Sequence, residues 1–353
     1  MHPSFDRKTM DYIGDISQIG GVKRYCFTTG KAKGMEALDV NNGAGLLFTV
    51  LPDRGMDIGH LSYKGMPVSF VSKAGIVAPW YYDGRGYEWL RSFTGGFLTT
   101  CGLTQVGDPC SFEGADQGLH GMVSNLPADG VNVFSDWDGD AYGIKVTGQV
   151  RQAKVQFENL LMKRTIETAL GKDEIALEDE ITNEGDRAEP FMLLYHINFG
   201  FPFLNPDCDI VLPAKKTTGW DDFSQKNADM CRIVTEPSPE PYDMTWYHEL
   251  ARDANETAGF MVANRKRQPD MAVAVTYNAD VLDNFTQWRF LHKKDYVMSF
   301  EPCNNLVKGV EYERANGSLK YIQPGETVRT NLRFGFLYDP SDISERMIKM
   351  NES

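Results

Sequence analysis

The sequence predicts an all-β fold, a large antiparallel β-sandwich with few short helices, and three observations carry that expectation. Apolar and polar residues alternate with period two over long stretches, turn signals separate those stretches, and sustained helical periodicity is scarce. The alternation runs through "GLLFTVLPDRGMDIGHLSYKG" from Gly45, "GIKVTGQVRQAKV" from Gly143, "NLLMKRTIETALGKDEIALEDEITNEG" from Asn159 and "TVRTNLRFGFLY" from Thr327. The intervening "PDRG", "LGKDE", "LPADG" and "QPGE" are turn chemistry.

The chain has 353 residues, 42% of them hydrophobic, enough for a large core. It reads as one domain over 1–353, with its core at about 40–340, an N-terminal extension over 1–20 and a short C-terminal helix over 341–353 that Ser341 would cap. One or two helical turns are expected in "EPYDMTWYHELARDANETAG" and near Asp221 to Met230, within an irregular segment at about 205–255. That segment would serve as a lid or an interface.

A formal net charge of -13, spread along the chain, disfavours nucleic acid and anionic membrane as partners. No apolar run approaches the ~20 residues of a membrane helix, and the N-terminus lacks a signal-peptide pattern, so a cytoplasmic protein is expected. The six cysteines show no CxxC pair and read as reduced thiols.

Chemistry concentrates in a few places. "LLYHINFG" places His196 and Asn198 on one face of an apolar strand. They are either a satisfied core pair or the lining of a cavity whose ligand supplies their partners. "GLHGM" sets His120 between glycines, where it either caps a turn or meets a ligand across uncrowded backbone. "VMSFEPCNN" ends an apolar strand on Glu301, which either pairs with a base such as Arg289 or keeps a raised pKa suited to proton transfer. Arg91 lies among apolar residues as a candidate donor to ligand oxygens. His2, His248 and His292 read as solvated, and His60 could face either side of its strand.

The order "LPDRGMDI", Arg91, "GGFLTTCGL", "GLHG", "YHINFG" and "EPCN", over about Gly45 to Tyr338, resembles the aldose 1-epimerase (galactose mutarotase) superfamily, in an uncharacterised branch. The resemblance implies a β-supersandwich that interconverts sugar anomers. It implies His196 as general acid, Glu301 as general base, and His120 and Arg91 as sugar ligands. Asn198, Trp288 and Asn304 are added as substrate contacts, and Asp280 or Asp283 as the substrate-binding aspartate. Ile197 departs from the proline that follows the histidine in the classical enzymes.

Anomer exchange needs one acid and one base, and the expected working state is His⁺ beside Glu⁻, each charge supporting the other. No metal or organic cofactor is required. Two other readings stand beside this one: a carbohydrate-binding or sensing sandwich without turnover, and a cupin-type isomerase with His120, His196 and Glu301 around a metal. The expected partner is a small sugar; a homodimer would be one way to cover the sheet edges.

Overall fold

The computed structural model describes residues 5–265 and 270–352, so His2 lies outside the described residues. Two large sheets face each other. The first runs in spatial order Gly21–Cys26, Glu36–Asn41, Leu46–Leu51, Asp57–Tyr63, Leu98–Leu103, Met192–Gly200, Asp295–Cys303, Asn284–His292, Met244–Leu250 and Ala214–Gly219. The short Met66–Pro67 pairs beside Asp57–Tyr63. The second sheet runs Ala128–Asp138, Ala141–Ala153, Asn159–Ala169, Glu174–Asn183, Thr327–Leu337, Met271–Asn278, Thr257–Asn264 and Cys208–Val211. Neighbouring strands pair antiparallel, as the alternating pattern requires.

The alternation decides which side chains meet between the sheets. Phe48, Val50, Ile197 and Phe300 of the first pack with Val146, Met162, Leu177 and Phe334 of the second. Phe260 stacks on Phe300 at 4.7 Å. Each such burial is worth about 1.5–3 kcal/mol of transfer free energy.

A second apolar cluster covers the outer face of the first sheet, where Trp89, Phe93 and Leu119 from connecting segments pack with Met192, Leu194 and Val297. The Met192–Gly200 strand is therefore buried along its whole length, odd-numbered side chains in the main core and even-numbered ones under this layer. That double covering is why the strand reads as nearly continuous hydrophobic sequence.

The sheet begins at Gly21, well before the expected core boundary near residue 40. The 205–255 segment is also more regular than expected. It supplies the strands Cys208–Val211, Ala214–Gly219 and Met244–Leu250, and its helical turns are Asp222–Lys226 and Ala228–Arg232. "MTWYHEL" is a strand, not a helical turn, and His248 is buried in it, hydrogen-bonded to Thr217 and Gln287. The C-terminal helix spans Pro340–Glu352 and lays Ile343, Met347 and Met350 on Met261 and Ala272. Asp339, not Ser341, accepts from the first turn, with Pro340 in the first helical position. Among the described residues no helix is long and apolar enough to cross a membrane.

Candidate active site

Three adjacent strands build the floor of a cleft. Register pairs His196 with Thr99 on one side. On the other, Leu194 pairs with Cys303 and Asn198 with Ser299, which sets His196 opposite Glu301. The next strand brings Thr286 beside Glu301 and Trp288 beside Ser299. Residues over a hundred positions apart thus converge because period-two alternation points them all to the outer face.

His196 Nε2 lies 3.2 Å from Glu301 Oε1, with both side chains buried. Ser299, two residues before Glu301 and on its face, donates to the same carboxylate oxygen. Arg289, the alternative partner, is occupied by the Ile233 carbonyl and Thr235. Burial raises Glu301 to about 8 against the opposing Ser299 hydrogen bond. Burial, with the neighbouring His120 adding to it, lowers His196 to about 3. The His⁺/Glu⁻ pair expected as the working state is therefore not the resting one. Desolvation costs both ions, so the proton the pair shares rests on the carboxyl, and both groups are neutral at pH 7.

Asn198 sits behind the histidine. Its Nδ2 donates to the His196 carbonyl at 2.9 Å, and its side chain favours the protonated imidazole. His196 Nδ1 and Asn198 Oδ1 are nevertheless buried without a hydrogen bond of ordinary geometry. Asn198 braces the histidine from behind and does not line the cleft.

His120 reaches the cleft from a tight turn. Its φ of 57° is left-handed, and a Cβ on the following Gly121 would lie 2.5 Å from the Gly102 carbonyl. The turn-capping reading of this histidine is seen directly, for Nδ1 accepts from the Gly107 N–H at 3.3 Å; the ring also lines the cleft and stands edge-on to His196 at 6.1 Å. Burial lowers it to about 4, so it is a neutral donor or acceptor. Trp288 also stands edge-on to His196, at 5.6 Å, and donates from Nε1 to Asp243 at 2.7 Å.

The cleft holds about 350 Å³, within the size range of small-ligand sites. His196, Glu301, His120 and Trp288 line it together with Trp89, Phe93, Trp220, Asp108, Asp221 and Asp243. Among the described residues no group of three His, Cys, Asp or Glu side chains is placed to hold a metal ion.

Besides Asn198, four residues expected at the substrate lie elsewhere. Arg91 is largely exposed, pairs with Glu88 on the turn Glu88–Arg91 and does not line the cleft. Asn304 is buried but spent on the backbone, accepting from the Leu193 N–H at 2.8 Å and donating to the Phe191 carbonyl at 3.0 Å. Asp283 pairs with Lys320 and Asp280 accepts from Asn278, both remote from the cleft. Of the three aspartates that line the cleft, Asp243, which precedes Met244–Leu250, is the one bonded to Trp288. Its place depends on Thr245 pairing with Trp288, a contact that only the folded register reveals.

Residues 32–336 match the family described as Domain of unknown function (DUF4432), and the chain belongs to it. No curated protein matches the sequence. Among solved structures, a "putative aldose 1-epimerase" from Klebsiella pneumoniae superimposes with a TM-score of 0.86 at 23% identity, covering 94% of this chain and 87% of that one. A galactose mutarotase-like protein from Clostridium acetobutylicum gives 0.64 at 14%, covering 91% and 100%. Galactose 1-epimerase from Lactobacillus acidophilus gives 0.56 at 11%, covering 90% and 99%. The fold is the galactose mutarotase-like β-sandwich.

Proposed function

We propose that this DUF4432 member is a carbohydrate mutarotase that opens and recloses the ring of a free sugar with His196 as general acid and Glu301 as general base. The observation that carries the reading is the buried His196–Glu301 contact at the floor of an aromatic-walled cleft. Such a pair holds one transferable proton in a site that excludes water, which is what reversible ring opening uses.

In the forward step the proton crosses from the carboxyl to His196, the state Asn198 supports. Glu301 then takes the proton of the C1 hydroxyl as His196 gives its own to the ring oxygen. The C1–O5 bond breaks and the electron pair of the former O–H bond forms the aldehyde carbonyl. After rotation about C1–C2 the steps reverse on the other face, and the pair again carries one proton. In this proposal the cleft-lining His120 holds a hydroxyl, Trp288 packs on the apolar face of the ring, and Asp243 accepts from a further hydroxyl.

Exchange NMR of anomer interconversion on a panel of free aldoses tests this, with wild type beside His196→Ala. Acceleration of one sugar by wild type and its loss in the variant is the expected result. Sugars that bind wild type without faster exchange would leave a receptor and remove the catalytic roles.

A further inference from the structure

The cleft is graded from floor to mouth. Glu301 and His196 are 2% and 4% exposed, whereas Tyr87 and Leu90 line the same cleft at 58% and 53% exposed. Large apolar side chains kept half in water at the mouth of a binding cleft mark a place that a ligand covers. Both are held in position. The Tyr87 hydroxyl donates to Asp108 at 3.3 Å, and Leu90 rides the turn whose neighbouring Trp89 is buried and stacked on Phe93 at 4.7 Å.

The charge at this mouth has one sign. Asp108, Asp221 and Asp243 line it, and among the described residues no Lys or Arg side chain does. Of the neighbouring cations, Arg91 pairs with Glu88, while Lys308 donates to the Trp220 carbonyl at 3.3 Å, lies over the Trp220 ring and offsets part of the Asp221 charge. Three carboxylates against one nearby ammonium leave the mouth net negative, so a phosphate, sulfate or carboxylate entering here would meet mainly like charge.

We propose that the mouth is an outer saccharide subsite, so that the cleft takes the reducing end of an uncharged di- or oligosaccharide. The inference rests on the mutarotase reading and adds the class of sugar. The anomeric carbon occurs only at the reducing terminus and the acid–base pair lies at the floor. That ring therefore enters first, and the rest of the saccharide leaves past Tyr87 and Leu90. Its apolar C–H face packs on those two side chains, and its hydroxyls donate to Asp221.

The test is exchange NMR on glucose, maltose, cellobiose and glucose 6-phosphate, and on galactose, β-1,4-galactobiose and galactose 6-phosphate. Wild type, Tyr87→Ala and Leu90→Ser are compared. A disaccharide is expected to exceed its monosaccharide in kcat/KM by about threefold or more, and each variant to lower that ratio roughly three- to tenfold. Sugar phosphates are expected to be slower than the parent sugar by about tenfold or more. A ratio near one in wild type, or a ratio that neither variant changes, overturns the subsite. Equal turnover of a sugar phosphate overturns the charge argument. Acceleration of no sugar by folded protein overturns the mutarotase reading, and the subsite with it.

Discussion

Tyr195 and His196 are neighbours on one strand, point to opposite faces, and sit in two buried polar clusters that behave differently. Behind the strand, between the sheets, Arg164 donates to Asp179, Asp57, Thr100 and the Gly55 carbonyl, while Tyr195 donates to Asp179. Burial alone would lower the Arg164 pKa, yet Asp179 and Asp57 hold it above its ordinary value. In front of the strand, burial keeps His196 and Glu301 neutral, and His196 Nδ1 and Asn198 Oδ1 have capacity to spare. A cluster that closes on itself fixes the two sheets. One whose imidazole and carboxyl line a cleft and share a proton is left open to a ligand.

Breaking the inner cluster should have the largest effect on the fold. Arg164→Leu strands two carboxylates between the sheets and is expected to cost about 3–5 kcal/mol, read as a lowered midpoint in urea or a failure to accumulate folded protein. An unchanged midpoint would mean that the closed network contributes nothing that packing cannot replace.

The outer cluster should respond in rate. Because the working pair carries one proton, kcat/KM should stay level through neutral pH and fall as pH rises through about 8, where Glu301 loses it. A profile flat to well above that pH, after subtracting the hydroxide-catalysed background, would remove Glu301 from the proton path. Asn198→Ala should act next, lowering kcat roughly five- to tenfold with little change in KM, since a hydrogen bond that supports the protonated acid is worth about 1 kcal/mol. Arg91→Ala should do least, within about 0.5 kcal/mol in stability and without effect on exchange, because its pair with Glu88 is exposed to solvent and it does not line the cleft.

The difference between the clusters also explains what the sequence could and could not tell. Period-two patterning made the sandwich legible, and His196 and Glu301 stood out as polar residues inside apolar strands. Arg91 and Asn304 looked equally out of place. Arg91 turned outward because a short turn let it reach Glu88, and Asn304 turned to the backbone because the strand end left Leu193 and Phe191 to satisfy. Asp243 was invisible for the opposite reason, an ordinary aspartate in a polar stretch that acquires its role from a tryptophan 45 residues away. His248 was misplaced because "HELARD" resembles a helical turn. The alternation of Met244, Trp246, His248 and Leu250, all buried, was the signal that could have placed it on a strand.

The central claim is that the outer face works while the inner face holds. Anomer exchange and thermal midpoint measured together on Glu301→Gln test it most directly. Folding raises the pKa of this carboxyl, so at pH values above its unfolded pKa ionisation works against the fold, and a neutral amide relieves that cost. The account predicts exchange slowed by about a hundredfold or more, with a midpoint equal to or above that of the wild type. Exchange at the wild-type rate would contradict it, and so would a midpoint that falls as far as that of Arg164→Leu.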